Sequence, residues 1–232
     1  MSGKRLISLL SPSKLGQQVK NFATLARDFG QFTSIRSGQA EMRDGVIVPW
    51  YTYPAIEYLN SLDFAGKRVF EYGSGNSSRY WARKVAQVVS VEDHRDWHAR
   101  VSSNLADNQT LLLREESQAY AEAILEDAGC YDIVVIDGNH RPACARAALD
   151  RVADGGLIVL DNSDWYHKVA AWLREHGDFI QVDFYGFGPI NHYTWTTSLF
   201  ISRKAQLKPA SGRQPDFAIG GLRHDLAADE DY

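Results

Sequence analysis

The run Val69-Phe-Glu-Tyr-Gly-Ser-Gly-Asn-Ser-Ser-Arg-Tyr-Trp81 constrains this chain more than any other stretch. A short apolar strand leads into a turn with two glycines and then into a helix. That is the opening unit of a sheet whose parallel strands are joined by helices. Gly73 and Gly75 lack a Cβ, so the backbone can bend tightly there and let a ligand lie against the strand end. Asn76 or Ser77 is expected to cap the following helix. The dinucleotide fingerprint G-x-G-x-x-G begins the same way, but here its third glycine is replaced: the run reads Gly73-Ser-Gly75-Asn-Ser-Ser78. Glu71, two residues before the first glycine, would repel a pyrophosphate and can pair with a cationic ligand group. A nicotinamide site and a purely structural turn remain the alternatives.

With 232 residues, 44% of them apolar, the chain can bury one sizeable core. The expected organisation is a helical extension over 1–45, one α/β domain over 46–204 and a flexible polar tail over 205–232. A formal charge of −4 argues against a general nucleic-acid binder, which needs a basic face to displace phosphate counterions. Cys130 and Cys144 have no metal-ligand spacing and read as small buried residues of a reducing compartment. No apolar run is long enough to span a membrane, and the apolar part of Met1–Leu10 is too short for a secretory signal. A soluble, cytoplasmic protein is expected.

Leu15, Val19, Phe22, Ala26 and Phe29 recur at helical spacing before Gly30, so residues 14–29 should form an amphipathic helix. It is expected to pack on the main domain as a lid or a homodimer arm, or simply to cover core surface. Trp50, Tyr51 and Tyr53 then precede a helix from Pro54, for which Thr52 is the expected cap. These aromatics divide between core packing and pocket walls, with Trp50 and Tyr53 taken as substrate contacts. After the glycine turn, strands are expected at 87–92, 110–114, 131–136, 155–161, 179–184 and 195–203, with helices between the first five. A loop of about ten residues joins the last two strands, which makes them antiparallel neighbours. The fold class is α/β: a Rossmann-like, doubly wound seven-stranded sheet in three layers, with its last strand antiparallel.

Open α/β sheets place ligands at the carboxyl ends of their strands. Glu92 ends the second strand, where an acid can accept both hydroxyls of a ribose, and Asp93 follows it. Ser117 and Gln118, just past the third strand, are expected to line a base pocket or cap a helix. Asp137, Asn139 and His140 gather after the fourth strand, and Asp161-Asn162 after the fifth. Three oxygen donors, from Asp137, Asp161 and Asn162, can converge there as Mg²⁺ requires; the competing reading is a metal-free pocket wall. His140 can accept a proton near neutrality and is the first candidate for a general base, or it only hydrogen-bonds its loop. Arg141 reads as an anion contact for substrate or as a helix-start residue, and Gly186–Tyr193 as a substrate rim with His192 as reserve base.

Glu71-Tyr-Gly-Ser-Gly75 resembles motif I of the class I S-adenosylmethionine (SAM) methyltransferases, and residues 48–203 as a whole are similar to that family. The resemblance implies that Glu71, Gly73 and Gly75, with Asn76, hold the methionine end of SAM. Glu92 and Asp93 would hold the ribose, and Ser117 and Asp137 would complete the cofactor site. Asp137, Asp161 and Asn162, with Trp165 after them, resemble the metal triad and following Trp of the caffeoyl-CoA and catechol O-methyltransferases. Ile136-Asp-Gly-Asn-His140 instead resembles a bacterial group with polysaccharide or natural-product substrates and a carboxyl-histidine pair. The function implied is methyl transfer to an O or N nucleophile of a small molecule or saccharide. Trp50, Tyr53, Arg141, Trp165 and His192 are the substrate contacts in that reading, and His140 and Asp137 the catalytic pair. The competing hypothesis is a non-catalytic nucleotide sensor or scaffold on the same fold.

Overall fold

The computed structural model describes residues 12–221. Its strands are β1 (Arg68–Tyr72), β2 (Gln87–Glu92), β3 (Gln109–Leu113), β4 (Tyr131–Ile136), β5 (Val152–Leu160), β6 (Phe179–Gly186) and β7 (Trp195–Ser202). They form one sheet in the order β3-β2-β1-β4-β5-β7-β6. The first five strands pair in parallel, and β7 runs antiparallel to both β5 and β6. The order reverses at β1, between β2 and β4, which opens a crevice at the carboxyl ends of these strands.

The helices are α1 (Pro12–Ala23), α2 (Gln31–Ser37), α3 (Tyr53–Asn60), α4 (Asn76–Ala82), α5 (Arg95–Ser102), α6 (Ser117–Glu122), α7 (Arg141–Leu149) and α8 (His167–His176). Each central strand is buried on both faces, so its apolar residues alternate between two cores. Phe70, Tyr72, Val134, Ile136, Ile158 and Leu160 pack with α6, α7 and α8. Val69, Ile133, Val135, Leu157 and Val159 pack on the other side with Ile56 and Leu59 of α3 and with Tyr80 and Trp81 of α4. The three-layer α/β/α reading therefore holds.

Four local expectations give way. The residue before α4 is Gly75, whose N–H donates to Ser78 Oγ at 3.0 Å, while Asn76 donates from Nδ2 to the Ala40 carbonyl; neither Asn76 nor Ser77 caps the helix. Thr52 precedes α3 without a side-chain cap, because its hydroxyl donates to the Phe184 carbonyl. Helix α1 covers no core surface: none of its residues is buried. The segment 205–221 packs back on the domain rather than trailing from it. Lys208 O accepts from Asp63 N, Ala210 N donates to Ser61 O, and Ile219 N donates to Glu57 Oε1. Met1–Leu10, read for a signal, and the acidic end of the tail lie outside the described residues.

Candidate active site

Alternation along β1 turns Glu71 to the α4 face, and the carboxyl group is fully buried. Its Oε2 accepts from the hydroxyls of Ser78 and Ser90, the latter at 2.9 Å, while its buried Oε1 has no partner. Burial pushes this carboxyl up to about 7, with the serine hydroxyls pulling the other way. Gly73 takes a φ of 98°, in the left-handed region that glycine favours. The β1 and β4 turns also touch: a Cβ on Gly138 would lie 2.9 Å from Gly73 N and 2.0 Å from the Tyr120 hydroxyl. At the end of β2, Glu92 Oε2 accepts from Ser74 Oγ at 2.8 Å, and its Oε1 accepts from the backbone N–H groups of Asp93 and His94. Together Glu71, Gly73, Glu92, Asp93, Trp97, Tyr120 and Asp137 line a cavity of about 330 Å³.

A second cavity of about 300 Å³ opens at β4, β5 and the loop before β7, lined by Trp50, Asp137, Asp161, Asn162, Trp165, Asn191, Tyr193 and Trp195. Asp137 belongs to both linings. Burial raises its carboxyl to about 6, and the Arg141 guanidinium at 3.1 Å opposes the rise. Asp161 is pushed well above the ordinary carboxylate range, first by burial and then by the charge of Asp137. Its Oδ1 accepts from Trp195 Nε1 and Thr197 Oγ1. Burial thus raises both of these neighbouring acids, and the charge of Asp137 raises Asp161 further.

Residues 70–163 match the family model described as a methyltransferase domain. The chain has the α/β Rossmann-like methyltransferase fold, and the matched residues make up less than half of it. Its fold is similar to that of precorrin-6y C5,15-methyltransferase from Geobacter metallireducens GS-15, with 17% identity over 64% of this chain and 86% of that one, at a TM-score of 0.53. It is also similar to a Streptococcus mutans protein described as a candidate methyltransferase and solved with SAH, with 11% identity over 66% of this chain and 99% of that one, at a TM-score of 0.50. At these identities the likeness is one of fold. No curated protein matches this sequence.

The first cavity suits the cofactor that the fold implies. A buried, unpartnered carboxylate oxygen on Glu71 and the acids Glu92 and Asp93 favour a cationic nucleoside over a phosphate-linked one. Gly138 lets the two turns and the Tyr120 hydroxyl pack closely at the strand ends, and the rings of Trp97 and Tyr120 supply flat walls to the cavity. Gly75 and Asn76 face a neighbouring cavity of about 180 Å³, shared with Trp50 and Asp137. Ser117 leaves the expected cofactor set, since with Gln118 and His140 it lines a groove between α6 and α7.

His140 starts α7 with a φ of 55° and points away from the second cavity. Its Nε2 lies 3.8 Å from Asp93 Oδ2, and its ring meets Tyr120 edge-on. It is a neighbour of the first cavity and not a base for an acceptor in the second. Tyr53 is buried in the core against Phe29, at 4.7 Å between ring centroids, rather than in a pocket wall. His192 projects outward beside Tyr193, while Asn191 and Tyr193 do the lining. Trp50 and Trp165 both line the second cavity.

Arg141 decides the metal question. Its guanidinium donates to Asp137 Oδ1 at 3.1 Å, to Asn162 Oδ1 at 3.2 Å and to the backbone carbonyls of Asp161 and Gly138. Its Cζ also stacks over Tyr166 at 4.4 Å. An organic cation therefore occupies the centre of the proposed Asp137-Asp161-Asn162 donor set, and Asp161 is engaged by Trp195 and Thr197 instead. These donors do not fit Mg²⁺, and among the described residues no group of three His, Cys, Asp or Glu side chains is placed to hold a metal. All three guanidinium nitrogens donate within the chain, so Arg141 braces the site rather than binding a substrate anion.

The residues that sequence reasoning missed are Ser74, Trp97 and Tyr120 at the first cavity and Trp195 at the second, while Asn191 and Tyr193 fall in the Gly186–Tyr193 rim. Trp97 sits on α5 and reaches back to donate its indole N–H to the Ser74 carbonyl at 2.9 Å. An exposed tryptophan in the first turn of the helix after Glu92 was the available signal.

Proposed function

We propose that this protein transfers a methyl group from SAM to an oxygen or nitrogen nucleophile of a small molecule, with a saccharide as the favoured class and Asp137 as general base. The transferase domain in this reading spans residues 46–204. One observation carries it: Asp137 is the carboxylate shared by the two larger cavities at the strand ends, and its acidity lies near neutrality. The cofactor would be held by Glu71, Gly73, Glu92, Asp93, Trp97 and Tyr120, and it would supply a methyl group activated by a positively charged sulfur.

The rest is work for the side chains of this chain. In the second cavity Asp137 can accept the proton of a bound hydroxyl or amine, and Arg141 keeps its carboxylate oriented. Burial and the charge of Asp137 both push the Asp161 carboxyl upward, which disfavours a second negative charge in the same space. Trp50, Trp165 and Tyr193 offer half-exposed aromatic faces, which stack on the apolar face of a sugar ring, and the amides of Asn162 and Asn191 can bond its hydroxyls. Two acids in the lining and no free cation disfavour a phosphate-bearing acceptor such as nucleic acid.

The test is formation of S-adenosylhomocysteine from SAM across a panel of acceptor sugars and small hydroxyl or amine compounds. Acceptor-dependent turnover that Asp137→Asn abolishes supports the reading. Tight SAM binding with no turnover on any acceptor would favour a sensor or scaffold.

A further inference from the structure

Helix α1 carries an exposed apolar stripe, and none of its residues is buried. Leu15, Val19 and Phe22 are 55%, 59% and 69% exposed, and Phe32 and Ile35 of α2 are 62% and 51% exposed. At about 100° per residue the first three fall within about 60° of arc. A helix of 12 residues is marginal alone in water, because helices of this length take most of their stability from packing an apolar face. The stripe therefore needs a cover from outside the domain.

The charge around it says which kind. Lys14 and Lys20 flank the stripe on opposite sides, Arg27 and Arg36 follow, and Asp28 is the sole acid among residues 12–37. The sequence divides the same way: residues 1–40 carry six basic side chains against one acidic, and residues 41–232 carry nineteen against twenty-eight. A symmetric arm-to-arm dimer would also bury the stripe, but it would press these cations against their own copies. An anionic bilayer accepts both parts, with apolar side chains at the acyl boundary and lysines among the headgroups.

We propose that α1 and α2 form a docking surface for an anionic lipid membrane. The arm is firmly attached to the domain at its other end. Gly30 adopts a left-handed turn so close to the next segment that a Cβ would lie 2.6 Å from the Met42 backbone, and Ser34 Oγ donates to the Glu41 carbonyl. Gln31 Nε2 donates to the carbonyls of Gly188 and Asn191, at 3.3 and 3.2 Å, in the loop that rims the second cavity. Docking through the arm consequently holds that rim beside the bilayer. No helix among the described residues is long and apolar enough to cross a membrane, so the contact is with the surface.

The experiment is co-sedimentation of the full chain, without cofactor, with vesicles of phosphatidylcholine alone or with about one third phosphatidylglycerol. The expected result is partitioning roughly tenfold or more stronger with the anionic vesicles, weakening as salt rises and accompanied by a gain in helical circular dichroism. The Val19→Asp/Phe22→Asp and Lys14→Glu/Lys20→Glu variants should each lose it. Because these side chains are exposed, both variants should keep the thermal midpoint of the wild type. Three results would overturn the proposal: no binding to either vesicle, equal binding to both, or a solution dimer that Val19→Asp/Phe22→Asp converts to monomer. None of these readouts involves methyl transfer.

Discussion

Arg141 Nη2 lies 3.1 Å from Asp137 Oδ1, and this contact puts a fixed positive charge beside the carboxylate that the two larger strand-end cavities share. A divalent ion bound there would have to displace a guanidinium that five oxygen contacts and an aromatic ring hold in place. Turnover is therefore expected to be unchanged by EDTA and by added Mg²⁺. A rate measured before and after chelation checks this, and a fall that Mg²⁺ restores would reinstate the donor set.

Asp137 acts as a base only when ionised. Its carboxyl is raised to about 6, so kcat should rise with pH through about 6 and level off above it. Asp137→Asn should lower kcat by roughly 10²- to 10⁴-fold and remove this limb, while SAM affinity changes little. His140→Ala should stay within a few-fold of the wild type, since His140 faces the α6–α7 groove. A loss in His140→Ala as large as that in Asp137→Asn would move the base to His140.

Glu71 makes stability depend on pH. Its folded value of about 7 lies above the ordinary 4.5, so the folded state holds a proton that the unfolded chain releases. The resulting stabilisation is complete below about 4.5 and is lost as pH rises through about 7, a difference of up to about 3 kcal/mol. Urea unfolding at pH 5 and pH 8 should show the decline, and Glu71→Gln should flatten it. A cationic ligand favours the ionised form, so the rise in thermal midpoint on SAM binding should be larger at pH 8 than at pH 6. The opposite order would separate Glu71 from the ligand.

Trp165 is 59% exposed and lines the second cavity, so removing its ring should cost acceptor binding rather than fold. Trp165→Ala is expected to raise the acceptor KM roughly tenfold, equivalent to one lost stacking contact, with the SAM Kd unchanged. An unaltered KM would place the acceptor elsewhere.

How far the sequence could be read depended on the range of the interactions. Strands such as Tyr131–Ile136 announce themselves because burial on both faces demands an unbroken apolar run. The acids at the strand tips were legible for the same reason, since strand ends sit at the crevice whatever else the chain does. Arg141 was misread because its role depends on two turns that come together only in the folded sheet: Asp137 lies on one, and Asp161 with Asn162 on the other. His140 misled because its backbone takes a left-handed turn, which swings the side chain off the strand direction. Tyr53 and Tyr51 lie beside Trp50 in sequence, yet both are buried while Trp50 is 45% exposed; adjacent aromatics carried no sign of which would line a pocket.

The central claim is that acids at the ends of β1 and β2 select a cationic nucleoside. Isothermal titration of SAM into the wild type and Glu92→Ala, with NADH as competitor, tests it most directly. The expected result is SAM binding that Glu92→Ala weakens roughly 10- to 100-fold, as the loss of a hydrogen bond to a charged group predicts, and that NADH does not displace. Equal SAM affinity in the two proteins, or displacement of SAM by NADH, would contradict it.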